Sequence, residues 1–495
     1  MSSIRKQTII SSALVYIGFI IGAINTYFYA KNGMFTTAEY GLTRVFFDFG
    51  QVMFTFASLG IIPVIYKFYP YYKDNLPKHK IDLVTWAMVT ALIGFVLVAL
   101  AGWYFEPLVI RKYTRTSPLI VQYYYLMFPF ALGMLLFSVL EGFCWAVHKT
   151  VQSNFLKETV LRLFTTVFIM LFYFKWINFK QFIELFSLLY SIIFIFLLIY
   201  LYRVNELHFT IKVSRVTRKF WKKIITMQSF VFGGVVIATL AATVDGIIIA
   251  GFQGLAAVGV FGLAQYAANI IQVPQRSIQS ISAGVLSKAW KDKDLKEINR
   301  IYHRSSINLL LLGLIIFGNV WLNAAHGMHV LHLQKEFEAG LGVILVLSFA
   351  RIIDAGTGVN GLVIGTSMLW RFEFFSQLIL IVLRLPLTYY LIKNYGIIGS
   401  AFAELTAYTA YNYVRFEFLR RKFNMQPFNL KTLYSLLLAF GGYFVCYFLF
   451  DGMDGWTGII LRSAVFSAIM LGGVFYLELT PDAMQLYHSW RNKRK

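Results

Sequence analysis

Apolar runs of about 20 residues recur along the whole chain, separated by short polar connections. The pattern predicts an all-α polytopic membrane protein with about fourteen transmembrane helices, because each run can span a hydrocarbon core of ~30 Å. The runs lie near residues 8–30, 43–66, 82–104, 119–146, 159–175, 182–202, 225–250, 257–286, 306–324, 338–366, 373–392, 397–414, 432–450 and 457–477. An outer-membrane barrel would show alternating segments of ~10 residues instead, and these are absent. No sizeable soluble domain is inserted, so the chemistry belongs to the bundle or its rims.

Polar residues inside the runs are the next signal. Six arginines interrupt them: Arg44, Arg162, Arg276, Arg351, Arg384 and Arg462. Charge in hydrocarbon costs roughly 2.5–3.5 kcal/mol on insertion scales, so such groups face a bundle interior or a wet cavity. Their sign points to an anionic cargo. In the second run Arg44, Asp48, Gln51, Thr55 and Ser58 share one helical face, which is expected to line a cavity. The other reading of Arg44 and Asp48 is an ion pair that glues two helices.

The eighth run places Gln272, Gln275, Arg276 and Gln279 on one face, with Pro274 predicting a kink. A cation among amide donors is a cradle for phosphate or sugar hydroxyls, since the guanidinium fork binds two oxygens together. The alternative is that Arg276 snorkels toward the cytoplasm. Arg351 and Asp354 follow in the tenth run, before Gly356, Gly358, Asn360, Gly361 and Gly365. Arg384 precedes Pro386 by two residues in the eleventh. Together with Arg276, these arginines predict a cationic cavity in the second half. Asp48, Asp245, Asp354 and Glu404 are candidates for coupling to protons or sodium, or for pairing with the arginines. Glu158 and Arg162 form an i,i+4 pair with a structural reading.

The chain has 495 residues, a formal net charge of +22 and only 14% charged residues. Soluble chains carry about 25%. The excess of Lys and Arg sits in alternate loops, with roughly 31 basic residues on one side against roughly 8 on the other by the positive-inside count. Both termini are therefore expected in the cytoplasm of a bacterium, with the chain in the cytoplasmic (inner) membrane and its first helix uncleaved. Distributed in this way, the charge meets membrane lipids and does not indicate nucleic acid. Cys144 and Cys446 both fall in apolar runs and suggest neither a disulfide framework nor a metal set. His326, His329 and His332 read as solvated histidines of an outer loop. With no nucleophile elbow, phosphate-binding Gly loop or catalytic carboxylate pair, an enzyme is not indicated and no cofactor is expected.

The basic stretch near the middle divides the chain into an N-lobe (1–205), a cytoplasmic linker (206–224), a C-lobe (225–424) and a C-terminal helix pair with a basic tail (425–495). Each lobe would hold six helices. An internal echo supports parallel repeats: Ala38-x-x-Gly41 and Ala256-x-x-Gly259 occupy matching outer turns.

Residues 244–274, VDGIIIAGFQGLAAVGVFGLAQYAANIIQVP, together with Leu391–Ala401 (LIKNYGIIGSA) and the Ala38–Leu42 turn, resemble the polysaccharide-transporter branch of the multidrug/oligosaccharidyl-lipid/polysaccharide flippase superfamily. The resemblance implies two six-helix lobes, a central cavity and alternating access. Its usual cargo is an undecaprenyl-diphosphate-linked oligosaccharide. Unlike the multidrug branch, the first helix carries no acid; unlike lipid II flippases, it carries no arginine between residues 8 and 30. An ion-coupled multidrug or cation antiporter of the same superfamily is the alternative.

Overall fold

The computed structural model describes residues 2–450 and 452–485. The basic tail from residue 486 onward lies outside the described residues. Among those described, the chain is helical with no β-strand. The helices that matter below are α1 (Ser2–Ala30), α2 (Thr37–Ser58), α3 (Ile61–Asn75), α4 (Leu83–Tyr113), α5 (Met127–Ala146), α6 (Leu161–Tyr173), α7 (Phe179–Ser187), α8 (Leu189–Arg203) and α9 (Arg215–Phe252). Then come α10 (Leu255–Asn269), α11 (Val273–Lys291), α12 (Leu295–Val330), α13 (Leu341–Gly356), α14 (Asn360–Gly365), α15 (Trp370–Tyr395), α16 (Ile397–Phe423), α17 (Leu430–Phe450) and α18 (Gly455–Tyr476).

Ten helical stretches of the described residues are long and apolar enough to cross a membrane, and α2 with α3, bent by 46°, can supply an eleventh. α16 falls outside that set because Glu404, Asn412 and Arg415 dilute its apolar character. Every run read from the sequence is largely helical, but several are broken. The eighth is interrupted by a 3₁₀ turn at Ile270–Gln272, immediately before Pro274. Proline has no N–H and suits the first turn of a new helix, so the break falls where the backbone loses a donor.

The chain divides into two compact units, Met1–Gly259 and Val260–Lys495. α9, counted from the sequence with the second lobe, packs within the first unit on α2 and α3. The second half of the basic linker is not a loop: Arg215–Lys223 forms the opening turns of α9, capped by the Ser214 hydroxyl, which accepts from Thr217 N–H at 3.1 Å. Asp82 is fully buried and anchors that cap. It accepts from Ser214 N–H and the Thr217 hydroxyl, each at 2.8 Å.

α2 starts with a capping box. Thr36 accepts from Glu39 N–H at 3.2 Å, and Glu39 accepts from Thr36 N–H at 2.8 Å. One turn on, the two echoing turns meet. A Cβ at Gly41 would collide with the Leu255 carbonyl, and one at Gly259 with the Thr37 carbonyl. Matched glycines thus let two helix starts touch through their backbones.

In the second unit α13 and α15 pack on α16. Gly396, between α15 and α16, has φ +72° and ψ −152°, a conformation open to glycine and hostile to side chains. α17 and α18 pack on α12, where Leu314, Leu322, Cys446, Phe466 and Met470 form a buried cluster.

Candidate functional site

α16 is the spine of the second unit's polar interior. Glu404, Tyr408, Tyr411, Asn412 and Arg415 recur at helical spacing, so they share one face. Glu404 sits deepest, its side chain 1% exposed, and is held between two guanidinium groups. Arg351 of α13 approaches one carboxylate oxygen at 2.5 Å, and Arg384 of α15 donates to the other at 2.9 Å. Arg351 also donates through Nε to Asn269 Oδ1 at 2.9 Å.

Asp354, one turn from Arg351, is satisfied by amides. Gln272 and Gln275 each donate to Oδ2 at 3.1 Å, and Asn412 donates to Oδ1 at 3.1 Å. The Asn412 carbonyl accepts from Asn360 and from Thr357, both at 2.9 Å. Arg415 closes the chain. It donates to Asn360 Oδ1 at 3.4 Å, to Ser376 Oγ at 3.1 Å and to Glu373 Oε1. Its guanidinium stacks on Tyr411 at 3.8 Å.

A cavity of about 390 Å³ opens on this network. Gln275, Gln279, Asp354, Glu373, Tyr408 and Arg415 are among the residues that line it. Three arginines (351, 384, 415) share this interior with three carboxylates (354, 373, 404). The second half was expected to enclose a cationic cavity built from Arg276, Arg351 and Arg384. The structure corrects the charge balance: Arg351 and Arg384 are buried behind the cavity on a shared glutamate, and Arg415 faces it. Buried charges require partners, which explains the pairing.

Arg276 is exposed and makes no ion pair among the described residues, while its neighbour Gln275 is buried. Gln275 and Arg276 are neighbours on α11, about 100° apart around the helix, so Gln275 reaches Asp354 while Arg276 turns outward.

In the first unit the α2 stripe is divided. Thr55 is buried and bonds to Thr239 of α9 at 2.8 Å, so this end of the stripe packs on a helix and does not line a cavity. Asp48 lies against Gly246 of α9, where a Cβ would strike its carboxylate. Arg44 and Asp245 are both near enough to act on the Asp48 charge. Asp245 is buried, and Arg44 is half-buried.

The remaining intramembrane arginines have local partners. Arg162 pairs with Glu158 at 3.0 Å, beside a π-helical stretch at Phe155–Val160. Arg462 of α18 donates to Asn323 Oδ1 of α12 at 3.1 Å and to the Phe450 carbonyl at 3.2 Å. His326, expected in a loop, lies on α12 within 3.4 Å of Arg462 and 3.5 Å of Asp454. No group of three metal-ligating side chains occurs among the described residues.

Long apolar helices around a buried, internally neutralised polar interior define the fold of a membrane transporter. The solved structures it resembles are of that kind. A lipid II flippase MurJ in an inward closed conformation superposes with a TM-score of 0.76 at 14% identity, covering 95% of this chain and 99% of that one. An inward-facing multidrug resistance MATE family transporter of the MOP superfamily gives 0.60 at 13% identity, covering 83% and 94%. The Vibrio cholerae MATE transporter VcmN in its bent form gives 0.53 at 13% identity, covering 85% and 97%. No curated protein matches by sequence. Residues 4–290 match the family described as polysaccharide biosynthesis protein, and the chain belongs to that family.

Proposed function

We propose that this protein translocates an undecaprenyl-diphosphate-linked oligosaccharide, a precursor of O-antigen, capsule or a related surface polysaccharide, across the bacterial cytoplasmic membrane. It does so by alternating access through an arginine-lined cavity, with both termini in the cytoplasm. The family membership supports a glycan precursor as cargo. The observation that carries the reading is the polar interior of the second unit, where Arg415 faces a 390 Å³ cavity with Arg351 and Arg384 behind it. A diphosphate entering a membrane must exchange its hydration shell for fixed donors, and buried guanidinium groups supply them.

The test is replacement of Arg415, and of Arg276, Arg351 and Arg384, by Ala, singly and together, in the bacterium that makes the polysaccharide. Surface polysaccharide should fall and the lipid-linked intermediate should accumulate, as read by mass spectrometry. Wild-type levels in every variant would refute the arginine-lined mechanism.

One observation favours a second reading. In the first unit Asp48 lies within electrostatic reach of a second carboxylate, Asp245, and of Arg44. Neighbouring carboxylates inside a bundle suit a proton- or sodium-coupled exporter of cations. That reading predicts cation export driven by an ion gradient, with D48N and D245N abolishing it.

A further inference from the structure

The Arg415–Glu373 pair is built differently from the clamp on Glu404. The Arg415 side chain is 6% exposed, yet it lines the cavity. Tyr411 fixes the plane of its guanidinium, and Gly361 makes room for it: a Cβ at Gly361 would strike the guanidinium. The other polar contacts are Ser376 and Asn360. Glu373 meets this fork with Oε1, while its Oε2 is buried and has no hydrogen-bond partner among the described residues. A carboxylate with one buried oxygen unsatisfied is a poor guest for a donor that prefers two parallel bonds.

Glu373 also has a second partner. Gln377, one turn along α15, donates to Glu373 Oε1 at 3.1 Å and is itself exposed. A carboxylate leaving Arg415 would therefore keep a hydrogen bond on its own helix. Glu404 has no such freedom, being fully enclosed by two arginines.

We infer that Arg415 is a phosphate-binding residue of the cavity and that Glu373 is its built-in competitor, displaced when the diphosphate of a lipid-linked cargo arrives. Displacement unties the first turn of α15 from α16, coupling cargo arrival to helix movement. The inference rests on the flippase reading and names the atoms that take its anionic group.

The test uses the full-length protein in nanodiscs of zwitterionic lipid, with undecaprenyl diphosphate as the probe and undecaprenol as the phosphate-free control. E373Q, which keeps shape and hydrogen bonding but removes the competing charge, should bind undecaprenyl diphosphate roughly tenfold tighter than wild type. R415K, which keeps the charge but loses the planar fork, should bind roughly tenfold weaker. Undecaprenol binding should be the same in all three proteins. Melting temperatures identify any variant that fails to fold, and E373Q alone then decides the matter. Unchanged or weaker diphosphate binding by E373Q overturns the inference, as does equal tightening for undecaprenol. The flippase reading fails on a separate result: loss of the protein in cells without accumulation of a lipid-linked glycan.

Discussion

The two units handle charge inside the membrane in opposite ways. In the first, α2 and α9 close on each other through the Thr55–Thr239 bond and the seat of Asp48 on Gly246. Asp48 there lies within electrostatic reach of Asp245 and of Arg44. In the second, two arginines hold Glu404, while amides link Asp354 to the Arg415–Glu373 pair at a cavity. The first arrangement is a helix contact with a small ionisable patch. The second is a polar interior with an arginine at the wall of a cavity. Buried charge thus sits in one unit at a helix contact and in the other beside a cavity, and the neighbours of each arginine tell the two apart.

The largest effect should come from removing the anion at the centre of the second network. E404A strands two buried guanidinium groups and should destabilise the protein by about 3–5 kcal/mol, seen as a large fall in melting temperature or loss of folded protein on size-exclusion chromatography. The matching change in the first unit, D48A, should cost about 1–3 kcal/mol, because Arg44 is only half-buried. Equal losses for the two variants would erase the distinction drawn between the units. Crowding the touching helix starts comes next. G41V forces a side chain onto the Leu255 carbonyl and should cost about 1–3 kcal/mol by the same thermal assay, with G259V behaving alike.

Smaller effects sharpen the picture. T239V removes one interhelical bond and should cost about 0.6 kcal/mol, a typical value for such bonds in membranes. R276A should leave stability within about 0.5 kcal/mol of wild type, since Arg276 is exposed and makes no ion pair among the described residues. A loss of transport in R276A without loss of stability would mark it as a contact for cargo.

Much of the second site is legible in the chain. Gln272, Gln275, Arg351, Asp354, Arg384 and Glu404 stand out because polar groups are costly in apolar runs, and the structure gathers them into two clusters, one on Asp354 and one on Glu404. Glu373 and Asn412 meet the same criterion inside the runs 373–392 and 397–414, but Arg415 does not. A hydropathy reading ends the twelfth run near residue 414 and assigns Arg415 to a basic loop. The helix in fact continues to Phe423, and Arg415 keeps the face begun by Glu404. Extending the spacing 404, 408, 411, 412, 415 past the apolar run would have found it. Arg276 is misplaced for another reason: it stands about 100° around α11 from Gln275, and Gln275 is the one that reaches Asp354. The α2 stripe was visible as a polar face, but periodicity cannot say whether such a face meets water or another polar helix. Thr239 of α9 supplies the answer.

The most direct measurement is transport by the purified protein in proteoliposomes, comparing a fluorescent undecaprenyl-diphosphate-linked oligosaccharide with a lipophilic cationic dye. The account predicts translocation of the anionic lipid at a rate well above protein-free vesicles, reduced by R415K, and no movement of the dye with or without an ion gradient. Gradient-driven movement of the dye, with the anionic lipid left in its original leaflet, would contradict it.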